Sequence, residues 1–329
     1  MSNPSKPPVK ALVRFSALAS VGASRPEQRA GDGIILGVIL VLSGGACYGV
    51  LATIVRLAYQ DGFTPAEVLS SQFLIGAAVL GVAAFAQRRF GWGMAAGHLA
   101  PMTIGKLILG GTSIGLTGTF YYLSVAHAFV SLSIVLLMQS VWMGVVLEAI
   151  LTKQLPDTSK LAGAAIVLIG SVMATNLLAV DFKPDTTGVI YGLLAAASYT
   201  AVMWCSKHVG VNADAITRGF LMIVGGAIAA LAIALPQLVT SFDLSVFWKW
   251  GWVVALFGTI LPPFLFARGV PLTGVGLAAI LGAVELPVAI IMARTLLGER
   301  FSPIQWLGVG LIVAAIVVGN RRRSKTGGV

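Results

Sequence analysis

Twelve acidic side chains occur in 329 residues, and all but one fall in tails, in connections or at the ends of apolar runs. Glu285 lies well inside such a run, two residues before Pro287. A charge at the centre of a membrane helix costs about 2.5–3.5 kcal/mol on insertion scales, so this carboxyl must face a cavity, carry a proton or meet a partner. Counting back 146 positions gives Gln139, a second polar residue among apolar neighbours. The two form either a polar pair that meets a substrate or a buried pair that locks two halves of the chain together. Trp142 follows Gln139 by three residues and shares its helical face. Trp204 sits among small residues. Trp142 and Trp204 lie away from the span ends where tryptophan usually anchors, so they line a cavity or fill the core. Tyr48, Tyr121 and Tyr199 complete the candidate substrate-binding set. On an ideal helix Tyr199 and Trp204 stand about 140° apart, so both cannot centre on one face.

Other chemistry is missing. No Lys or Arg falls in mid-run to hold a phosphate, and no G-x-x-x-x-G-K-[ST] loop is present to bind ATP. The two cysteines, Cys47 and Cys205, lie in apolar runs and form no Cys/His cluster, which is the pattern of buried thiols. No catalytic residue, cofactor or metal is expected, and the chain reads as a non-enzyme.

The elements that must position these residues follow from composition. The chain is 57% hydrophobic and 10% charged, with a mean hydropathy of +0.92. Soluble domains carry about 25% charged residues, so a bilayer is the expected solvent. Charge-free runs fall at 33–55, 68–87, 107–147, 161–180, 186–206, 219–242, 250–267, 269–293 (interrupted by Glu285) and 301–320. Each approximates the ~20 residues that cross ~30 Å of hydrocarbon as helix, and 107–147 is long enough for two spans. The expected fold is an all-α polytopic membrane protein with ten spans. With a cytoplasmic N-terminus, seventeen of the 22 Lys and Arg fall on the cytoplasmic side, so both termini are expected inside. The net charge of +10 then reflects topology and contact with membrane lipid, not nucleic acid.

A repeat runs through the order of spans. An offset of 151 places Tyr48 on Tyr199 and Arg56 on Lys207; an offset of 146 places Phe120 on Phe266 and Leu161 on Leu307. Five spans per half is odd, so the second copy enters the membrane inverted, the arrangement of carriers with a site between the repeats. The expected organisation is a tail over 1–32, one five-helix repeat over 33–180, a second over 186–320, and a basic tail over 321–329, with a central cavity. Interrupted segments at corresponding positions point to moving parts: Gly110–Gly118 in span 3, with Gly115 and Gly118, and Gly258–Pro263 in span 8, with Pro262 and Pro263; Pro287 joins them as a gating candidate. Pairs such as Gly45–Gly49, Gly111–Gly115 and Gly188–Gly192 also suit simple close packing of helices.

The segment Leu296-Leu297-Gly298-Glu299-Arg300-Phe301-Ser302-Pro303 with Leu307-Gly308, and Leu281–Val288 around Glu285 and Pro287, resemble the ending of the second repeat in EamA-type carriers of the drug/metabolite transporter superfamily. The first-half counterpart, Leu151-Thr152-Lys153-Gln154-Leu155-Pro156, is a degenerate copy. The Phe120-Tyr121-Tyr122 and Trp142 region is most similar to bacterial inner-membrane exporters of aromatic and other neutral amino acids. The resemblance implies a secondary transporter, with an amino acid or related small metabolite as substrate; the oligomeric state stays open, a monomer being one of the forms the sequence allows. The other readings are a carrier of another metabolite or drug within the superfamily, and a channel.

Overall fold

The computed structural model describes residues 26–90, 99–128, 130–177 and 185–321. The ends of the expected tails, 1–25 and 322–329, lie outside the described residues. Within them the structure is helical throughout, with no strand. Apolar runs leave backbone groups no partner but their own helix. The helices are α1 (Pro26–Gln60), α2 (Pro65–Phe90), α3 (Pro101–His127), α4a (Val130–Leu137), α4b (Ser140–Thr152), α5 (Thr158–Ala174), α6 (Thr186–His208) and α7 (Ala215–Thr240). They continue with α8 (Phe247–Thr273), α9a (Val275–Gly282), α9b (Glu285–Leu296) and α10 (Pro303–Arg321). Seven stretches are long and apolar enough to cross a membrane, α4a–α4b and α9a–α9b each counting as one; α5 and residues 303–317 of α10 are shorter apolar helices.

Local chemistry sets the starts. Asp157, Asp185 and Asp214 cap α5, α6 and α7 by accepting from the backbone N–H of Ser159, Thr187 and Thr217. At α2, Thr64 and Glu67 form a reciprocal capping box, the Glu67 carboxylate accepting from the Thr64 N–H at 2.8 Å and the Thr64 hydroxyl from the Glu67 N–H at 3.3 Å. Proline opens α2, α3 and α10, where its missing N–H costs no bond.

Packing runs between the two halves of the chain. Helix α1 packs on α8 and α9, and α6 packs on α3 and α4; α2 meets α8, and α7 meets α3; α2–α7, α4–α9 and α5–α10 also pair. Glycine lets these axes approach. A Cβ on Gly111 would strike the Met222 backbone, and one on Gly115 the Gly226 carbonyl. On Gly45 it would meet Val284 and Gly282, and on Gly49 the Glu285 carbonyl and Val288. The three glycine pairs all lie at such contacts.

Two features recur in the halves. The turn from α3 to α4a passes through Ala128, whose N–H donates to Ser124 O at 2.7 Å; the turn from α8 to α9a passes through Gly274, whose N–H donates to Val270 O at 2.9 Å. Both following helices then break, at Met138–Gln139 and at Ala283–Val284. Each break is stitched by three-residue bonds, Gln139 N–H to Leu136 O at 3.0 Å and Val284 N–H to Leu281 O at 3.1 Å. The turns are 146 residues apart and the breaks 145, the first half having one extra residue in its turn. Structurally Gln139 thus coincides with Val284, and Glu285 with Ser140.

The matched irregularity expected of spans 3 and 8 takes a different form. Helix α3 is regular through Gly110–Gly118, a stretch without proline, where Gly111 and Gly115 pack on neighbouring backbone and Gly110 and Gly118 on the side chains of Cys205 and Leu69. Helix α8 widens into π-type turns at Phe247–Gly251 and Leu256–Ile260. Pro262 and Pro263 explain the second, since each lacks an N–H and crowds the carbonyl four residues back. Thr259 there turns its hydroxyl to Gln72 O on α2 at 2.9 Å.

Candidate functional site

The break in α9 places Glu285 at the first residue of α9b. Pro287 stands in that first turn, removing a donor and crowding the Ala283 carbonyl, which instead accepts from Leu286 N–H at 3.2 Å. Three tyrosine hydroxyls lie within electrostatic range of the Glu285 carboxyl: Tyr48 on α1, Tyr121 on α3 and Tyr199 on α6. Tyr48 meets Tyr199 edge-on with centroids 6.4 Å apart, and meets Phe266 of α8 at 5.9 Å. Glu285, Tyr48 and Tyr121 are half-buried, whereas Tyr199 is 7% exposed. Its hydroxyl is buried without a hydrogen-bond partner, 3.4 Å from where a Cβ on Gly282 would stand. Both halves of the chain contribute to this group.

The remaining sequence candidates lie elsewhere. Gln139 stabilises its own helix break: its Nε2 donates to Val135 O at 3.1 Å, and its Oε1 accepts from Trp142 Nε1 at 2.9 Å. Among the described residues no hydrogen bond joins Gln139 to Glu285. The two breaks are thus held differently, by an amide and an indole in α4 and by a proline in α9. Trp142 is 41% exposed. Trp204 parts from Tyr199 as the helical angle between them requires. It stacks on His208 at 5.4 Å and lines a separate cavity of about 790 Å3 between α3 and α6, with Thr103, Lys106, Ser113 and Cys205. Of the gating candidates, Gly115 and Gly118 face neighbouring helices, and Pro262, Pro263 and Pro287 stand at the two irregular segments of the second half.

Sequence reasoning missed the buried charges at the helix ends. Arg218, placed by its type in a connection, is 2% exposed. Its guanidinium donates to Ala267 O at 2.6 Å, within α8, and to Ser206 O in the last turn of α6, where the helix dipole favours a cation. The 151-residue offset that pairs Tyr48 with Tyr199 also pairs Glu67 with Arg218. Glu67 is buried too and accepts from the Asp243 N–H at 2.7 Å. Glu148 is held by Lys160, with Lys207 at 3.8 Å, and lies over Gly274 and Gly276. Arg56 pairs with Glu299.

Residues 186–321, α6 to α10, match the EamA-like transporter family. The second half of the chain is thus similar to an EamA-like transporter domain. The chain is 22% identical over 309 residues to "Uncharacterized transporter YcbK" of Bacillus subtilis (strain 168), covering 88% of this chain and 95% of that protein. It is 28% identical over 182 residues to "Uncharacterized transporter YetK" of the same organism, covering 53% of this chain and 54%, about half, of that relative's length. A solved crystal structure shares the fold with a TM-score of 0.68 at 17% identity, covering 86% of this chain and 97% of the other. The chain is similar to transporters, and its apolar helices are those of a multi-pass membrane protein.

Proposed function

We propose that the protein is a secondary carrier that exports amino acids, aromatic and other neutral ones, or similar small metabolites by alternating access. The observation that carries this reading is the group around Glu285: one carboxyl at a helix break, faced by Tyr48, Tyr121 and Tyr199 from three other helices. A broken helix at a polar site between packed halves is the construction of a carrier whose halves rock about bound substrate. The recurrence of turn, break and inter-half contact supports two inverted five-helix repeats, 33–180 and 186–320, giving ten spans with α3, α5 and α10 among them. The Lys and Arg bias supports both termini in the cytoplasm, and the resemblance to bacterial exporters supports the inner membrane as its site. The carrier works as a monomer.

The test is counterflow in proteoliposomes with a panel of labelled amino acids and related metabolites, with and without a pH gradient. Saturable flux stimulated by counter-substrate is expected. Unsaturable flux insensitive to counter-substrate would make the protein a channel.

A further inference from the structure

The group around Glu285 contains one acidic side chain and, among the described residues, no cation to balance it. The ion pairs lie at helix ends: Arg56–Glu299, His127–Asp185, and Glu148 with Lys160 and Lys207. Arg218 is engaged by carbonyls. No hydrogen bond or ion pair reaches the Glu285 carboxyl from the described residues.

A substrate carboxylate would need a cation or free backbone amides, and two of the amides at each helix break are already engaged. At α4 the N–H of Gln139 is bonded to Leu136 O at 3.0 Å and that of Val141 to Met138 O at 3.0 Å. At α9 the N–H of Val284 is bonded to Leu281 O at 3.1 Å and that of Leu286 to Ala283 O at 3.2 Å. A carboxylate entering here would lose its water, gain no ionic partner and stand beside Glu285, a like-charge contact.

An ammonium finds the opposite. Glu285 supplies the counter-charge, and half-buried Tyr48, whose ring centroid lies 6.4 Å from Tyr199 and 5.9 Å from Phe266, presents an aromatic quadrupole that attracts a cation. The buried Tyr199 hydroxyl, lacking a partner, offers an oxygen lone pair to an N–H. We propose that this site recognises substrate by a protonated amine and disfavours a free carboxylate, so that its matched ligands are small aryl- or alkyl-ammonium compounds in preference to the corresponding amino acids. The proposal rests on the carrier reading and, of the substrates named there, favours amine-bearing metabolites over the amino acids themselves.

The full-length protein in liposomes is tested with four compounds built on one ring: 2-phenylethylamine, phenylalanine amide, phenylalanine and 3-phenylpropionate. Binding and counterflow of each are measured on the wild type. The amine and the amide are expected to bind at least ~10-fold more tightly than phenylalanine, the difference of ~1.4 kcal/mol that one unpaired charge readily exceeds, and the propionate least of all. Glu285→Gln, shown folded by its helical circular dichroism and monodisperse elution, is expected to lose at least ~10-fold in amine affinity, and Glu285→Asp to recover part of it. Saturable flux in which phenylalanine equals or exceeds its amide overturns this inference and leaves the carrier reading standing. Undiminished amine preference in folded Glu285→Gln also overturns it. Absence of saturable binding or flux for these four and for the wider metabolite panel removes the carrier reading itself.

Discussion

Lys153 adopts φ 54° at the end of α4b, the same left-handed conformation that Gly298 adopts, with φ 68°, 145 positions later after α9b. The degenerate copy of the Gly-Glu-Arg segment therefore keeps the backbone of the intact one while replacing its glycine. For a residue with a Cβ this conformation costs about 1–2 kcal/mol. Lys153→Gly is expected to stabilise the protein by about 1 kcal/mol, the relief of strain being partly offset by the freedom glycine gains in the unfolded chain. Gly298→Ala should lose a similar amount. Thermal unfolding in detergent measures both, and a lower midpoint for Lys153→Gly would refute the strain argument.

Arg218 joins the last turn of α6 to α8 through Ser206 O and Ala267 O. Arg218→Met should therefore cost about 2–4 kcal/mol, the penalty of leaving buried carbonyls without a charged donor. Arg218→Lys keeps the charge but cannot reach two diverging carbonyls with a planar fork, so it should recover only part of the loss. Apparent melting temperature in detergent reads the series; equal stability of all three variants would show that the guanidinium contributes nothing.

Trp142 donates to Gln139 at 2.9 Å and is 41% exposed, so removing the ring opens little cavity. Trp142→Ala is expected to fold with a near-normal melting profile and to impair transport by loosening the α4 break. Export kinetics identical to the wild type would separate this break from function.

Much of the helical layout was legible because a bilayer makes hydrophobicity nearly binary: Val68–Gln87 and Thr186–Ser206 lie inside the helices observed. Glu285 was legible for the same reason, as a charge where a charge is expensive. Which partners it meets was not, because Tyr48, Tyr121 and Tyr199 come from three other helices and no local period records that convergence. Gln139 misled in its pairing, since one residue inserted between Ala128 and Val130 shifts the register that sequence offsets assume. The glycine-rich part of α3 resembled a broken helix, yet glycine only permits a break; neighbouring backbone at Met222 and Gly226 determines that it stays regular. Arg218 was hidden because arginine at a span end is usually solvated, and its burial depends on α6 and α8 closing over it.

Close approach at Gly111 leaves no room for a side chain, since a Cβ would strike the Met222 backbone, which cannot rotate aside. Gly105, on the same helix, has nothing within 4 Å of a Cβ position. Gly111→Ala is thus expected to destabilise by about 1–3 kcal/mol through overpacking between α3 and α7. Gly105→Ala should be neutral or stabilising by up to ~1 kcal/mol, from helix propensity. Melting of the two purified variants gives the comparison, and equal midpoints would mean that the helices yield at this contact.

Gly274 and Gly276 both lie under Glu148, where a Cβ would come within 2.5 Å of one of its carboxylate oxygens. Only Gly274 also has a left-handed φ of 85°, so its substitution meets two penalties, one from contact and one from conformation. In the wild-type background Gly274→Ala should cost more than Gly276→Ala, by about the 1–2 kcal/mol of the conformational term. With Glu148→Ala the contact disappears. The cost of Gly276→Ala should then largely vanish, while that of Gly274→Ala keeps its conformational part. A double-mutant cycle of melting free energies separates the two, and additivity of Gly276→Ala with Glu148→Ala would show that the carboxylate moves aside freely.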